Sequence, residues 1–144
     1  MAKPGNRQNQ EPPRLDLGRL QLRREDGGPL DPDLFSTVAN DVAEKLGDNN
    51  GKHNKATQIR QFYEELLMWH ERVKQNPERF EEFLPMIRML NAKAAYAKGR
   101  GHVDSNFVRL MDQGLKQVDS PETLERFKLF FEAVLGFYKM HAPK

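Results

Sequence analysis

Two stretches of this chain carry cations and no acid. From Asn49 to Gln61 the permanent charges are Lys52, Lys55 and Arg60, with His53 beside them. From Phe83 to Val103 they are Arg88, Lys93, Lys98 and Arg100. These windows hold a formal +7, which leaves −5 on the remainder of a chain whose total is only +2. The near-neutral average conceals two basic zones on an acidic body, and a polyanion is the ordinary partner of such zones. Solvating lysines on alanine-rich surface helices give the same charge count, so position has to separate the two readings.

Helical phase supplies that position. At about 100° per residue, Lys93, Tyr96 and Arg100 fall within about 60° of one another, opposite a core line of Phe80, Leu84, Ile87, Asn91 and Ala94. Solvated lysines do not call for a tyrosine among them. A nucleic-acid surface uses the cations on phosphate and the ring against a ribose or base. In the other zone Thr57 is expected to cap a helix whose free amides favour phosphate, with Lys52, Lys55, Gln58 and Arg60 around it. The candidate nucleic-acid contacts are therefore Lys52, Lys55, Gln58, Arg60, Lys93, Tyr96, Lys98 and Arg100.

Catalysis finds no comparable support. The chain has no cysteine, which removes thiolate nucleophiles, zinc–thiolate sites, iron–sulfur clusters and disulfides together. His53, His70, His102 and His141 stand singly, without a second ligand one helical turn away. Glu64–Glu65 and Glu81–Glu82 are sequence neighbours, which on a helix point about 100° apart and share neither a proton nor a substrate; they read as solvated faces. Gly47 to Lys52 lacks the spacing, the hydroxyl residue and the preceding strand of a phosphate loop. Ser36, Ser105 and Ser120 lack a glycine-flanked elbow. No enzyme, metal or cofactor is expected.

The elements that must position the basic zones are helices. Residues 1–32 carry Pro4, Pro12, Pro13, Pro29 and Pro32, a density that breaks helices, and read as a flexible N-terminal arm. Its only apolar part, Leu15, Leu17, Leu20 and Leu22, could pin an extended piece onto the body or onto a neighbouring subunit. From residue 33 the apolar spacing of three and four predicts an all-α domain, 33–144, folded as a compact bundle of about five helices. The first runs from Asp33 to Leu46 and stops at Gly47, read as a left-handed closing residue; the second runs from Thr57 to about Gln75. The third opens at Asn76–Pro77 and continues through Lys98, with a kink or a junction of two helices near Leu84 imposed by Pro85. The fourth spans Asp104 to about Val118, and the fifth starts at Ser120–Pro121 and reaches about Met140.

The strings Thr57-Gln58-Ile59-Arg60-Gln61-Phe62-Tyr63, Phe83-Leu84-Pro85 leading into Ala92-Lys93-Ala94-Ala95-Tyr96-Ala97-Lys98-Gly99-Arg100, and Phe127 to Phe137, in that order and spacing, strongly resemble the small subunit of the type III-A CRISPR effector, the Csm complex. The resemblance covers about residues 50–140 and leaves the arm aside. It implies a non-enzymatic helical protein, present in several copies, that stacks inside a ribonucleoprotein filament. Its implied partners are guide RNA, target RNA, the repeated backbone subunit and copies of itself. The family's alanine-rich helix maps onto Lys93, Tyr96 and Arg100, and its Gln-Ile-Arg helix start onto Gln58 and Arg60.

Two other readings compete. A protein–protein adaptor would use the aromatic surplus of the fifth helix, and in either case some of Phe130, Phe137 and Trp69 are expected to meet another subunit. A DNA-binding helix-turn-helix would want cations at the start of its second helix, where Asp104 stands instead. With 144 residues, 38% hydrophobic and 31% charged, one domain with a modest core and no large pocket is expected. No apolar run approaches the roughly 18 residues of a membrane span, so a soluble, unprocessed, cytoplasmic protein without membrane partners is expected.

Overall fold

The computed structural model describes residues 14–142; Pro4, Pro12 and Pro13 of the arm lie outside them. Among the described residues the architecture is all-α. A π-helical turn, Leu34–Val38, runs into α1 (Ala39–Leu46), and a polar turn leads to α2 (Ala56–Gln75). A 3₁₀ turn over Pro77–Arg79 opens α3 (Phe80–Arg88), followed by α4 (Leu90–Gly99), α5 (Ser105–Leu115) and α6 (Pro121–His141). No helix among the described residues is long and apolar enough to cross a membrane.

The core is one continuous cluster. Phe107 of α5 meets Phe62 of α2 edge-on at 5.1 Å and Phe131 of α6 at 6.2 Å, and Phe127 packs on Phe131 at 6.2 Å. Such edge-to-face pairs add about 0.5–1.5 kcal/mol each beyond the area they bury. Helix α6 is the central element, held between the first helix and α2. It is also fixed at its start, where the Ser120 and Thr123 side chains form a reciprocal cap and Pro121 takes the first helical position.

Several expected details resolve differently. Phe130 and Trp69 are 0% and 6% exposed within the single chain, so neither is left over for another subunit; Phe137 is half-buried. The aromatic surplus of α6 is consumed internally because the helix is covered on more than one side. Gly47 does not close α1 in the left-handed region, since its φ is −86°. Its glycine is needed for close approach instead: a Cβ there would stand 2.9 Å from the His141 Cβ. The left-handed residues come later, at Asn49, Asn50 and Gly51 with φ of 56°, 58° and 75°, and asparagine and glycine are the types that tolerate that region. Thr57 is not a cap, because α2 begins one residue earlier with Lys55 as its extended N-cap. Asn76 turns backwards: its side-chain amide donates to the Arg72 carbonyl at 3.3 Å and closes α2.

Pro85 lies inside α3, and the junction falls at Met89, not at Leu84. The carbonyl that proline deprives of a partner belongs to Glu81, on the exposed face, where water can take it. The shift past Met89 turns the buried line of the two helices to Phe80, Phe83, Ile87, Leu90, Ala94 and Ala97, while Leu84 and Asn91 are half-buried.

Of the two placements open to the arm leucines, the structure shows them on the body of their own chain. Leu15, Leu20 and Leu22 are buried. The Gln117 amide donates to Leu20 O at 2.7 Å and its oxygen accepts from Leu22 N at 2.8 Å, while Arg126 donates to Leu22 O at 3.0 Å. Arg23 clasps Asp119 with two bonds of 2.9 and 2.8 Å and holds that carboxyl below the usual carboxylate range. The segment needs no helix or strand of its own, since side chains of the body take its backbone groups.

Candidate nucleic-acid interface

Side chains of α2 and α4 face one another across a groove of about 350 Å³. One wall is Gln58, Gln61 and Glu65, the other Lys93, Tyr96 and Arg100; buried Phe62 and Ala97 form the floor and His102 closes one end. Each wall repeats at three and four residues, which is how one helix presents a line of side chains. The wall on α4 is exposed because the buried line of that helix is Leu90, Ala94 and Ala97.

Four polar groups of the groove are engaged with one another, in two pairs. Lys93 Nζ stands 2.7 Å from Glu65 Oε2, spanning the two walls, with the lysine side chain 45% exposed and the glutamate 28%. Arg100 Nη1 donates to the Tyr96 hydroxyl at 3.2 Å, and its guanidinium carbon lies 5.8 Å from the ring centroid. Tyr96 is 67% exposed, a large aromatic surface left to solvent beside two cations. Chemically the groove offers two permanent cations, an aromatic face and two side-chain amides against a single carboxylate.

The structure joins the two basic zones by one backbone bond, with a side-chain bond beside it. Lys55 N donates to the His102 carbonyl at 3.0 Å, and Asp104 N donates to Asn54 Oδ1 at 2.9 Å. Lys52 and Lys55 are exposed on this junction at the foot of α2. Gln58, Lys93, Tyr96 and Arg100 come together in the groove. Arg60 does not join them: it faces the opposite side of α2, in a recess with Thr57, Leu135 and Lys139. Lys98 is exposed on α4 but does not line the groove.

Sequence reasoning missed Glu65, Gln61 and His102. Read as half of a solvated acidic pair, Glu65 is instead the ion-pair partner of Lys93. Nothing local signals this, because the pairing depends on the register between two helices. Gln61 was legible in principle, lying three residues after Gln58 on the same face.

The junction itself rests on a tyrosine. Tyr138 of α6 donates its hydroxyl to the Asn54 carbonyl. Burial pushes that hydroxyl up to about 12, with the Asp104 carboxylate adding to the rise. The neutral form is favoured in the fold, so its contribution is complete below the unfolded value of about 10 and disappears as pH climbs through about 12. Tyr138→Phe is therefore expected to cost about 1–2 kcal/mol at neutral pH by orphaning the carbonyl. It should also make the loss of melting temperature between pH 10 and 12 shallower than in wild type. Equal alkaline slopes for the two proteins would show that Tyr138 is not the titrating group; Tyr63, also raised to about 12, contributes equally to both.

The sequence model of the family described as Csm2 Type III-A matches residues 31–144. No curated protein and no solved structure matches the chain.

Proposed function

Since the chain belongs to the Csm2 Type III-A family, and so is a structural subunit of the type III-A CRISPR effector, we propose that it contributes a non-catalytic RNA-binding surface to that complex. The surface is the α2–α4 groove, and the observation that carries the reading is the exposed line Lys93, Tyr96, Arg100 opposite Gln58 and Gln61. Lysine and arginine on phosphates carry no base information, and the tyrosine stacks on any base or ribose. Binding is thus independent of RNA sequence, and base pairing between guide and target supplies specificity. Copies of the subunit stack along the two RNAs and touch the repeated backbone subunit. The adaptor reading keeps one observation: Met86 and Met89 are 42% and 51% exposed on α3 and at the α3–α4 junction, a surface available to neighbouring subunits without competing for the groove.

The test is the salt dependence of binding to single-stranded RNA. Each phosphate contact contributes about 0.7 to the slope of log affinity against log salt, so Lys93→Ala with Arg100→Ala is expected to lower the slope by about 1.4. Melting temperature should change little, because an exposed ion pair contributes about 0–1 kcal/mol. Glu65→Gln works in the other direction: it releases Lys93 from its carboxylate and should tighten binding. A double variant with the wild-type slope would show that this groove is not the RNA surface.

A further inference from the structure

A second concave basic site lies on a different part of the molecule, where the N-terminal segment crosses α5. This cleft, about 570 Å³, is lined by Arg14, Asp16, Arg109, Asp112, Gln113 and Lys116 among others, and shares no residue with the α2–α4 groove. Arg109 donates to Asn106 Oδ1, an oxygen that also accepts from Leu15 N at 2.9 Å and so couples the guanidinium to the N-terminal segment, which lies as a strap across the body. Its Nε is buried with no acceptor among the described residues. The residue lines the cleft, where its guanidinium can donate to an anionic oxygen. Arg14 and Lys116 are exposed and bridge to no carboxylate among the described residues. Of the two acids, Asp16 is turned to the Gly18 N–H at 2.9 Å; the lining charge is three cations against two carboxylates.

We propose that this cleft is a second site for the phosphodiester backbone of single-stranded RNA, with Arg14, Arg109 and Lys116 as phosphate contacts; the proposal rests on the RNA-binding reading of the protein. The spacing favours a polymer over a small anion. Arg109 and Lys116, the C-cap of α5, are seven residues apart, about 10 Å along the helix axis, a separation that two phosphates of one strand can span and one phosphate ion does not bridge. Arg14 and Asp16 precede residue 31, where the family match begins, so half of the cleft comes from a segment that the family pattern does not include. RNA held here would be gripped between the strap and the bundle.

The experiment uses the full chain and a fluorescein-labelled oligouridylate, with anisotropy read over a range of salt. Arg14→Ala with Lys116→Ala is expected to lower the salt slope by about 1.4, and its combination with Lys93→Ala and Arg100→Ala by about 2.8. Melting temperature should be unchanged, since both removed side chains are exposed and make no ion pair among the described residues. Asp112→Asn, which removes a carboxylate and no cation, should tighten binding. A cleft pair that keeps the wild-type slope while the groove pair lowers it overturns the cleft and leaves the function standing. A cleft pair that lowers the slope while the groove pair does not supports the cleft and sinks the groove. Wild-type protein whose binding ignores salt overturns both.

Discussion

Gly114→Ala is expected to lower the melting temperature by about 10 °C, although alanine is the better helix former. The gain in helix propensity is about 1 kcal/mol. Against it stands a collision: a Cβ at Gly114 would lie 2.1 Å from Cε1 and 2.4 Å from Cζ of Phe127. Phe127 is fully buried and itself packed on Phe131, so the ring has no free direction in which to retreat. Overpacking of this kind costs about 1–3 kcal/mol and more when the neighbour is pinned. With about 3–4 kcal/mol for this pinned ring, the net loss is about 2–3 kcal/mol, which in a domain of this size corresponds to about 10 °C. Gly136 is the internal control. It also lies within a helix, α6, but a Cβ there meets nothing within 4 Å. Gly136→Ala should raise stability by about 0.5–1 kcal/mol. Thermal or urea unfolding of both variants decides the matter, and a Gly114→Ala protein as stable as wild type would mean that α6 is not seated against α5 through this ring.

The contrast between those two glycines shows what was legible in the sequence. Both stand in strongly periodic segments, and periodicity identifies the segments as helical because it depends only on which residues recur along one face. The same holds for Ser120–Pro121, whose cap is made within four residues. Whether a glycine is a weak point or a required gap depends on what another helix puts beside it, and that is fixed by packing register. Glu65 follows the same logic: the acid pair was visible, its partner twenty-eight residues on was not. In the strap the proline and glycine content spoke only for the segment itself, whereas Gln117, Asp119 and Arg126, which hold it, lie about a hundred residues away. The basic zones were legible because charge accumulates along the chain. Their division into a groove line and an outlying Arg60 was not, because it needs the neighbours of each face of α2.

Asn54→Ala is expected to cost about 3 kcal/mol and, without removing any cation, to weaken RNA binding. Asn54 is completely buried in a polar turn. Its side-chain N–H donates to the Leu46 carbonyl at the end of α1, at 3.1 Å, and its Oδ1 accepts from Asp104 N at 2.9 Å. Its own carbonyl accepts from Tyr138. One residue thus ties α1, the start of α5 and α6, and alanine leaves the Leu46 carbonyl and the Asp104 amide without partners. Each stranded buried group costs about 1–3 kcal/mol, and an alanine side chain replaces neither bond. The functional consequence runs through Lys55, next in sequence, whose amide bonds the His102 carbonyl and joins the two basic zones. With the tie cut, Lys52 and Lys55 are no longer held beside the end of the groove where His102 stands. Affinity should fall, while the salt slope falls by less than in the Lys93→Ala, Arg100→Ala protein, because the groove cations remain. Asn54→Asp separates the two bonds: it keeps the acceptor for Asp104 N but sets a buried carboxylate against the Leu46 carbonyl, so its stability should be lowest at neutral pH and recover as the carboxyl protonates and donates. Urea unfolding at neutral and mildly acidic pH measures both variants. If Asn54→Ala matches wild type in stability, the turn is held by something other than this side chain; if it unfolds early yet binds RNA unchanged, the basic zones are positioned independently of each other.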